Sequence, residues 1–157
     1  MAMHIRVISV GRERGNEFTS LAVQDYATRI RRSAELELVE LPAGAGMTSR
    51  DREAEGILAT HGKALARGPG ELWAVDERGE QMTSGALASR IARLRDNAIN
   101  LNLAIGGDEG LSARVISASQ FHWSLSLLTL PHRLARVVVI EQIYRAFEIL
   151  RKSPYHK

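Results

Sequence analysis

Ile99-Asn100-Leu101-Asn102-Leu103-Ala104-Ile105-Gly106-Gly107-Asp108-Glu109-Gly110 is the stretch that decides the fold. Ile99 to Ile105 reads as a strand, and it runs straight into glycines and carboxylates. A second stretch repeats the pattern: Trp123-Ser124-Leu125-Ser126-Leu127 predicts another strand, which gives way to Leu128-Thr129-Leu130-Pro131-His132. An Arg-studded helix over Leu134 to Arg151 follows, and the chain closes on Pro154-Tyr155-His156-Lys157. Apolar strands that end in conformationally special, polar residues resemble a built site more than a packing solution.

Working outward, strand and helix patterns alternate. His4 to Val10 and Glu35 to Leu41 alternate apolar with polar residues, and between them Phe18, Leu21, Ala22, Tyr26 and Ile30 fall on one helical stripe. After the loop Ala43-Gly44-Ala45-Gly46, Ser49 can cap a helix to about Arg67, which Gly68-Pro69-Gly70 stops. Leu72 to Val75 reads as a strand and Asp76 to Gly79 as a turn. Thr83 or Ser84 caps a helix marked by Leu87, Ile91 and Leu94, and Ser112 to Ser119 is a short helix. Five strands separated by helices predict an α/β fold: a largely parallel sheet covered by helices on both faces.

In such sheets ligands bind outside the carboxyl ends of the strands. Val75-Asp76, Gly106-Gly107 and Leu128 to His132 each follow a strand, so their loops can line one pocket. For Gly106-Gly107 two readings stand: close backbone approach to a ligand, or a turn that needs positive φ. The spacing matches neither the G-x-G-x-x-G fingerprint nor a Gly-Lys-Ser/Thr phosphate loop. Gly106 to Gly110 spells most of the GGDEF cyclase signature, but the fifth position is Gly instead of Phe and a helix start follows.

At 157 residues, 45% hydrophobic and 25% charged, the chain fits one domain over 1–157 with a full core. No apolar run approaches the roughly 18 residues of a membrane span, so a soluble, cytoplasmic protein without membrane partner is expected. The chain has no cysteine, which removes disulfide and thiolate chemistry. The histidines, His4, His61, His122, His132 and His156, show no metal-ligand spacing, so no metal is expected. His61 reads as a helix-surface residue. His132 and His156 can move a proton or donate to phosphate, and each can equally be structural. Ser9, Ser124 and Ser126 read as strand residues without a triad partner.

Net charge is +3, unevenly spread: Leu111 to Lys157 carries seven basic groups against Glu141 and Glu148, a local excess of five. A basic end beside a near-neutral body suggests an anionic partner, though a solvated helix face gives the same pattern.

Gly106-Gly107, Gly110-Leu111, Trp123-Ser124-Leu125-Ser126, Thr129-Leu130-Pro131-His132, Arg136-Val137-Val138, Glu141-Gln142, Tyr144-Arg145-Ala146 and Tyr155-His156 together resemble the ribosomal RNA large subunit methyltransferase H family, of the SPOUT superfamily. The likeness spans the chain, includes Ile8-Ser9-Val10-Gly11 and Leu41-Pro42-Ala43-Gly44, and is densest after Leu103.

The resemblance implies a deep trefoil knot over about residues 100–157, an exception to the rule against knots. It implies a homodimer that uses S-adenosylmethionine to methylate N3 of a pseudouridine in 23S rRNA on the assembled ribosome. DNA is not an implied partner. Carried over by position, the cofactor would contact Val75, Gly106 and the run Leu125, Ser126, Leu127, Leu128, Thr129 and Leu130. His156, Tyr155 and Arg145 would be catalytic, while His132, Arg133 and Arg136 would hold the RNA. Two rival classes share many of these features: a SPOUT-type tRNA methyltransferase and a non-catalytic ribosome-binding or assembly factor.

Overall fold

β1 (His4–Val10) and β4 (Asn100–Ile105) are buried along almost their whole length, and everything else is arranged around them. The computed structural model describes residues 2–46 and 48–156, the last of these by its backbone alone. The remaining strands are β2 (Glu35–Leu41), β3 (Gly70–Glu80) and β5 (Phe121–Trp123). The sheet runs β2-β1-β4-β3-β5 with every pairing parallel.

Strand residues alternate faces, so the sheet makes two cores. On one side Ile5, Val7, Trp73, Leu101 and Leu103 pack against α1 (Phe18–Ile30), α3 (Ser84–Asp96) and α5 (His132–Leu150). On the other, Ile8, Leu72, Ala74 and Ala104 meet α2 (Ser49–Leu65) and α4 (Ala113–Ala118). A fully parallel sheet with helices on both faces is what the alternation of elements predicts.

Several boundaries shift for physical reasons. Thr48 is the residue before α2, so Ser49 is the first helical residue and not its cap. Thr83, by contrast, does cap α3: its Oγ1 accepts from the Ala86 amide at 3.1 Å. The fifth strand is Phe121–Trp123, three residues long, and not Trp123 to Leu127; Ser124 and Ser126 therefore lie in a loop. The predicted turn at Asp76 to Gly79 is an excursion inside β3, because Val75 and Glu80 both stand opposite Trp123. α5 begins at His132, two residues earlier than its apolar stripe suggests, with Pro131 immediately before the first turn.

Burial also overrides the alternation in β1. Arg6 sits inside the sheet and donates through Nε to Glu37, its register partner on β2, at 2.6 Å. His61 is buried, not on the helix surface, and its Nδ1 lies 3.0 Å from the Asn102 side-chain amide on β4. The amide can only donate, so the imidazole is neutral with Nδ1 as acceptor. Burial lowers the His61 pKa from its ordinary value, since a cation there has no water around it.

This fixes the sign of a pH effect. Below about pH 6.5 the unfolded chain binds a proton on His61 that the native state refuses, so stability is lost as pH falls through that range. Urea midpoints measured between about pH 7.5 and 5.5 should fall, and the fall should be smaller in His61→Gln, whose side chain does not titrate.

Candidate active site

β4 and β5 end on either side of β3, and the loops after them meet the excursion within β3 at the sheet edge. β4 ends at Ile105, and Gly106 to Gly110 folds into a tight turn in which the Gly110 amide donates to the Gly107 carbonyl at 3.0 Å. Neither Gly106 nor Gly107 has positive φ; Gly110 does, at 73°. The reason for glycine at 106 is space: a Cβ there would lie 2.6 Å from the Gly110 carbonyl carbon and 2.9 Å from the Leu111 nitrogen. Backbone meets backbone at that point, and neither side can yield cheaply.

The β3 excursion forms the second wall. Asp76 accepts from the Arg78 amide at 2.8 Å and from its guanidinium at 2.8 and 3.1 Å. The hydrogen-bonded guanidinium holds the Asp76 carboxyl below its usual range. Gly79 makes this possible, because a Cβ there would come within 2.6 Å of the His122 carbonyl oxygen.

The third wall is the loop from Ser124 to Pro131, which ties itself down with serines. Ser124 Oγ donates to the Ser126 carbonyl at 3.0 Å, and Ser126 Oγ accepts from the Leu128 amide at 2.9 Å. Two side-chain contacts then cross between walls: Thr129 Oγ1 donates to Glu77 at 3.0 Å, and His132 Nδ1 lies 2.9 Å from Asp108.

Between the walls lies a cleft of about 610 Å³. Val75, Gly106, Leu125, Ser126, Leu128, Thr129, Leu130 and His132 all line it, so the loops named from sequence converge. Leu127 does not; it points away and is 86% exposed. Asp76, named with Val75 by the strand-end rule, lines the cleft too; sequence reasoning missed Arg50, from the first turn of α2, and Arg78, which no motif marks, because they reach it only through the packing of α2 and the bulge in β3. Glu53 lies just behind the Gly107 turn, and burial raises its carboxyl pKa.

The cationic residues fare differently. Arg136 is 2% exposed, donating to the Val10 and Gly11 carbonyls and to Glu13. It clamps the loop after β1, so the expectation that it holds RNA phosphate is corrected: its guanidinium faces protein. Arg133 donates to Glu17 and the Arg12 carbonyl but keeps part of its surface open. Arg145 and Tyr155 are not in the cleft. From His132 to Arg145 is thirteen residues of continuous helix, an axial distance of about 20 Å at 1.5 Å per residue. Tyr155 sits beside Arg145, its hydroxyl 3.1 Å from Glu141 and its ring 4.6 Å from that of Tyr144. The His156 side chain, expected to be catalytic, lies outside the described residues.

Comparison with known proteins agrees with this architecture. A family described as "Predicted SPOUT methyltransferase" matches residues 3–156. The ribosomal RNA large subunit methyltransferase H of Anaeromyxobacter sp. (strain Fw109-5) is 44% identical, covering 99% of this chain and 100% of its own. The protein of the same name from Coxiella burnetii (strain Dugway 5J108-111) is 37% identical over the same shares. Among solved structures, a probable methylase family protein from Haemophilus influenzae Rd KW20 shares the fold at TM-score 0.58 and 11% identity, covering 98% of this chain and 70% of that one. The SpoU methyltransferase AviRb from Streptomyces viridochromogenes, solved in complex with AdoMet, does so at TM-score 0.54 and 14% identity, covering 92% and 58%. The chain belongs to the SPOUT methyltransferases and, within them, to the family of ribosomal RNA large subunit methyltransferase H.

Glycine substitutions separate the two kinds of glycine in this chain. Gly106→Ala should lose roughly 1–3 kcal/mol of stability as the turn is forced open. Gly62→Ala, in open space within α2, should gain about 0.5–1 kcal/mol from helix propensity. Paired urea titrations with unchanged m-values check both.

Proposed function

We propose that this chain methylates N3 of a pseudouridine in large-subunit (23S) rRNA on the assembled ribosome, using S-adenosylmethionine and working as a homodimer. The observation that carries the reading is the convergence of three segments, the excursion within β3 and the loops after β4 and β5, on one cleft at the carboxyl edge of a parallel sheet. The same reading takes residues 1–157 as a single domain with a deep trefoil knot over about residues 100–157.

The cleft suits the donor. Val75, Ile105, Leu125 and Leu130 offer apolar walls, while the backbone of Gly106, Gly107 and Gly110 carries no side chain of its own and can meet a heterocycle edge. The carboxylates of Asp108 and Glu109 at the rim favour a cationic ligand. Bound there, the sulfonium supplies a methyl group already activated for transfer. What remains for the chain is to align the base nitrogen with that carbon and to help its N–H proton leave.

The residues expected to meet the base, Tyr155 and Arg145, sit some 20 Å along α5 from the cleft of their own chain. A second copy supplies them most simply: its tail completes the first copy's cleft. Phe18, 75% exposed, and Leu21, 58% exposed, give α1 an apolar outer strip suited to such a partner. His132 and Arg133 keep the open surface through which rRNA phosphate is held.

Two measurements test the reading. Methyl groups from labelled donor should enter ribosomal subunits far faster than deproteinised rRNA, and mass mapping should find them on N3 of a pseudouridine. Equal rates would remove the assembled ribosome as substrate, and label in tRNA would favour the rival class. Mixing Tyr155→Ala copies with Gly106→Ala copies should restore about a quarter of wild-type activity, because half the dimers are mixed and each has one intact composite site. No recovery would place cleft and tail of one site in the same chain.

A further inference from the structure

Glu141 has no role in the account so far, yet its carboxylate is the most heavily used acceptor near the tail. Its Oε1 accepts from Arg145 Nε at 3.0 Å, from Arg145 Nη2 at 2.7 Å and from the Tyr155 hydroxyl at 3.1 Å. Its Oε2 accepts from Gln142 Nε2 at 2.7 Å. The Gln142 carbonyl in turn accepts from Ser84 Oγ on α3 at 2.6 Å, which anchors the network to the scaffold. One oxygen thus fixes Arg145, a turn further along the helix, and Tyr155, fourteen residues on.

The direction of these bonds carries chemical consequence. An ionised carboxylate accepts only, and a phenol has a single proton. With that proton directed at Glu141, the Tyr155 oxygen has only lone pairs to offer anything else. Tyr144, edge-on at 4.6 Å, and the Arg145 guanidinium, 5.0 Å over its face, pack the ring and keep the hydroxyl beside Glu141.

Resting on the function proposed above, we infer that Glu141 is a positioning residue: by holding the only proton of Tyr155, it makes that hydroxyl an acceptor for an N–H of the target base. A pyrimidine imide presents such an N–H at the position to be methylated, flanked by carbonyls. An acceptor there aligns the nitrogen and favours departure of its proton; a donor would instead select a neighbouring carbonyl and misplace the nitrogen. Arg145, with Nε and Nη2 taken by Glu141, keeps Nη1 for a base carbonyl or phosphate. Burial, then the contacts with Tyr26 and Glu141, raise the Tyr155 pKa well above the ordinary phenol range, so the hydroxyl keeps its proton at neutral pH.

Glu141→Gln and Glu141→Asp separate this role from packing. Gln keeps the volume but adds an amide donor, so the phenol is released or reversed; Asp is a methylene shorter but still accepts only. If polarity matters, Gln lowers kcat on ribosomal subunits roughly 100-fold with donor affinity unchanged, while Asp retains more activity than Gln. If Gln works as well as Asp or better, Glu141 only fills space and the inference is overturned. A readout independent of catalysis is the ionisation of Tyr155, followed by ultraviolet absorbance as the difference from Tyr155→Phe. It should occur above the ordinary phenol range in the wild type and move down in Glu141→Gln; an unmoved titration also overturns the inference. A wild type without methyl transfer to ribosomes, but with the expected phenol titrations, would reject the proposed function and leave the Glu141–Tyr155 bond standing.

Discussion

At Gly106 the backbone of β4 runs so close to the backbone of Gly110 and Leu111 that a single methyl group has nowhere to go. That contact lets the chain turn back on itself within five residues of leaving the strand. Every feature of the cleft depends on it. Were the turn raised by an ångström or two, Asp108 would leave His132 and the start of α5 would lose its link to the β4 loop. Backbone packed on backbone is also rigid, because neither partner has rotamers to change, so the constraint defines a wall and not merely an absence of bulk.

The two central strands that carry this wall, β1 and β4, are buried on both faces, and most of the polar side chains at this sheet are paired. Arg6 with Glu37, His61 with Asn102, and Arg136 with the carbonyls after β1 each sit where an aliphatic side chain would pack without cost. Removing one partner from such a pair leaves a buried group unsatisfied and costs more than the pair contributes. Arg136 illustrates what is gained: its guanidinium holds the loop after β1 against the first turns of α5, where Gly11 turns the chain with a φ of 89°. A cation that charge counting assigns to RNA turns out to fix the place of α5 against β1.

Element order, parallel sheet and two-sided covering were legible because each rests on periodicity, which survives without knowledge of neighbours. The convergence of Val75, Gly106 and Leu125 to Leu130 was legible from the rule for strand ends, together with a string of spaced matches. What stayed hidden involves partners distant in sequence. Nothing local tells His61 that Asn102 stands opposite, forty-one residues on, or that the Asp76 to Gly79 turn is an outward fold of a continuing strand. The fifth strand was misplaced because Ser-Leu-Ser-Leu alternates perfectly; its serines bond within the loop and leave no ladder to continue. Leu127 was named with its neighbours as a cofactor contact, but alternation in an irregular loop does not fix which side chain turns inward.

α5 ties these observations together, because its two ends face different tasks. Its first turn closes the cleft through His132 and clamps β1 through Arg136; its later turns carry Glu141 and Arg145 and receive the tail through Tyr155. Continuous helix over His132–Leu150 keeps those ends apart within one copy. In the arrangement proposed above, one copy's first turn of α5 would stand against the later turns of its partner's. Two-fold symmetry satisfies this twice at once, since a self-complementary interface places each tail at the other's cleft. α1, which packs along α5, exposes Phe18 and Leu21. The length of one rigid helix thus turns a question about chemistry into one about assembly.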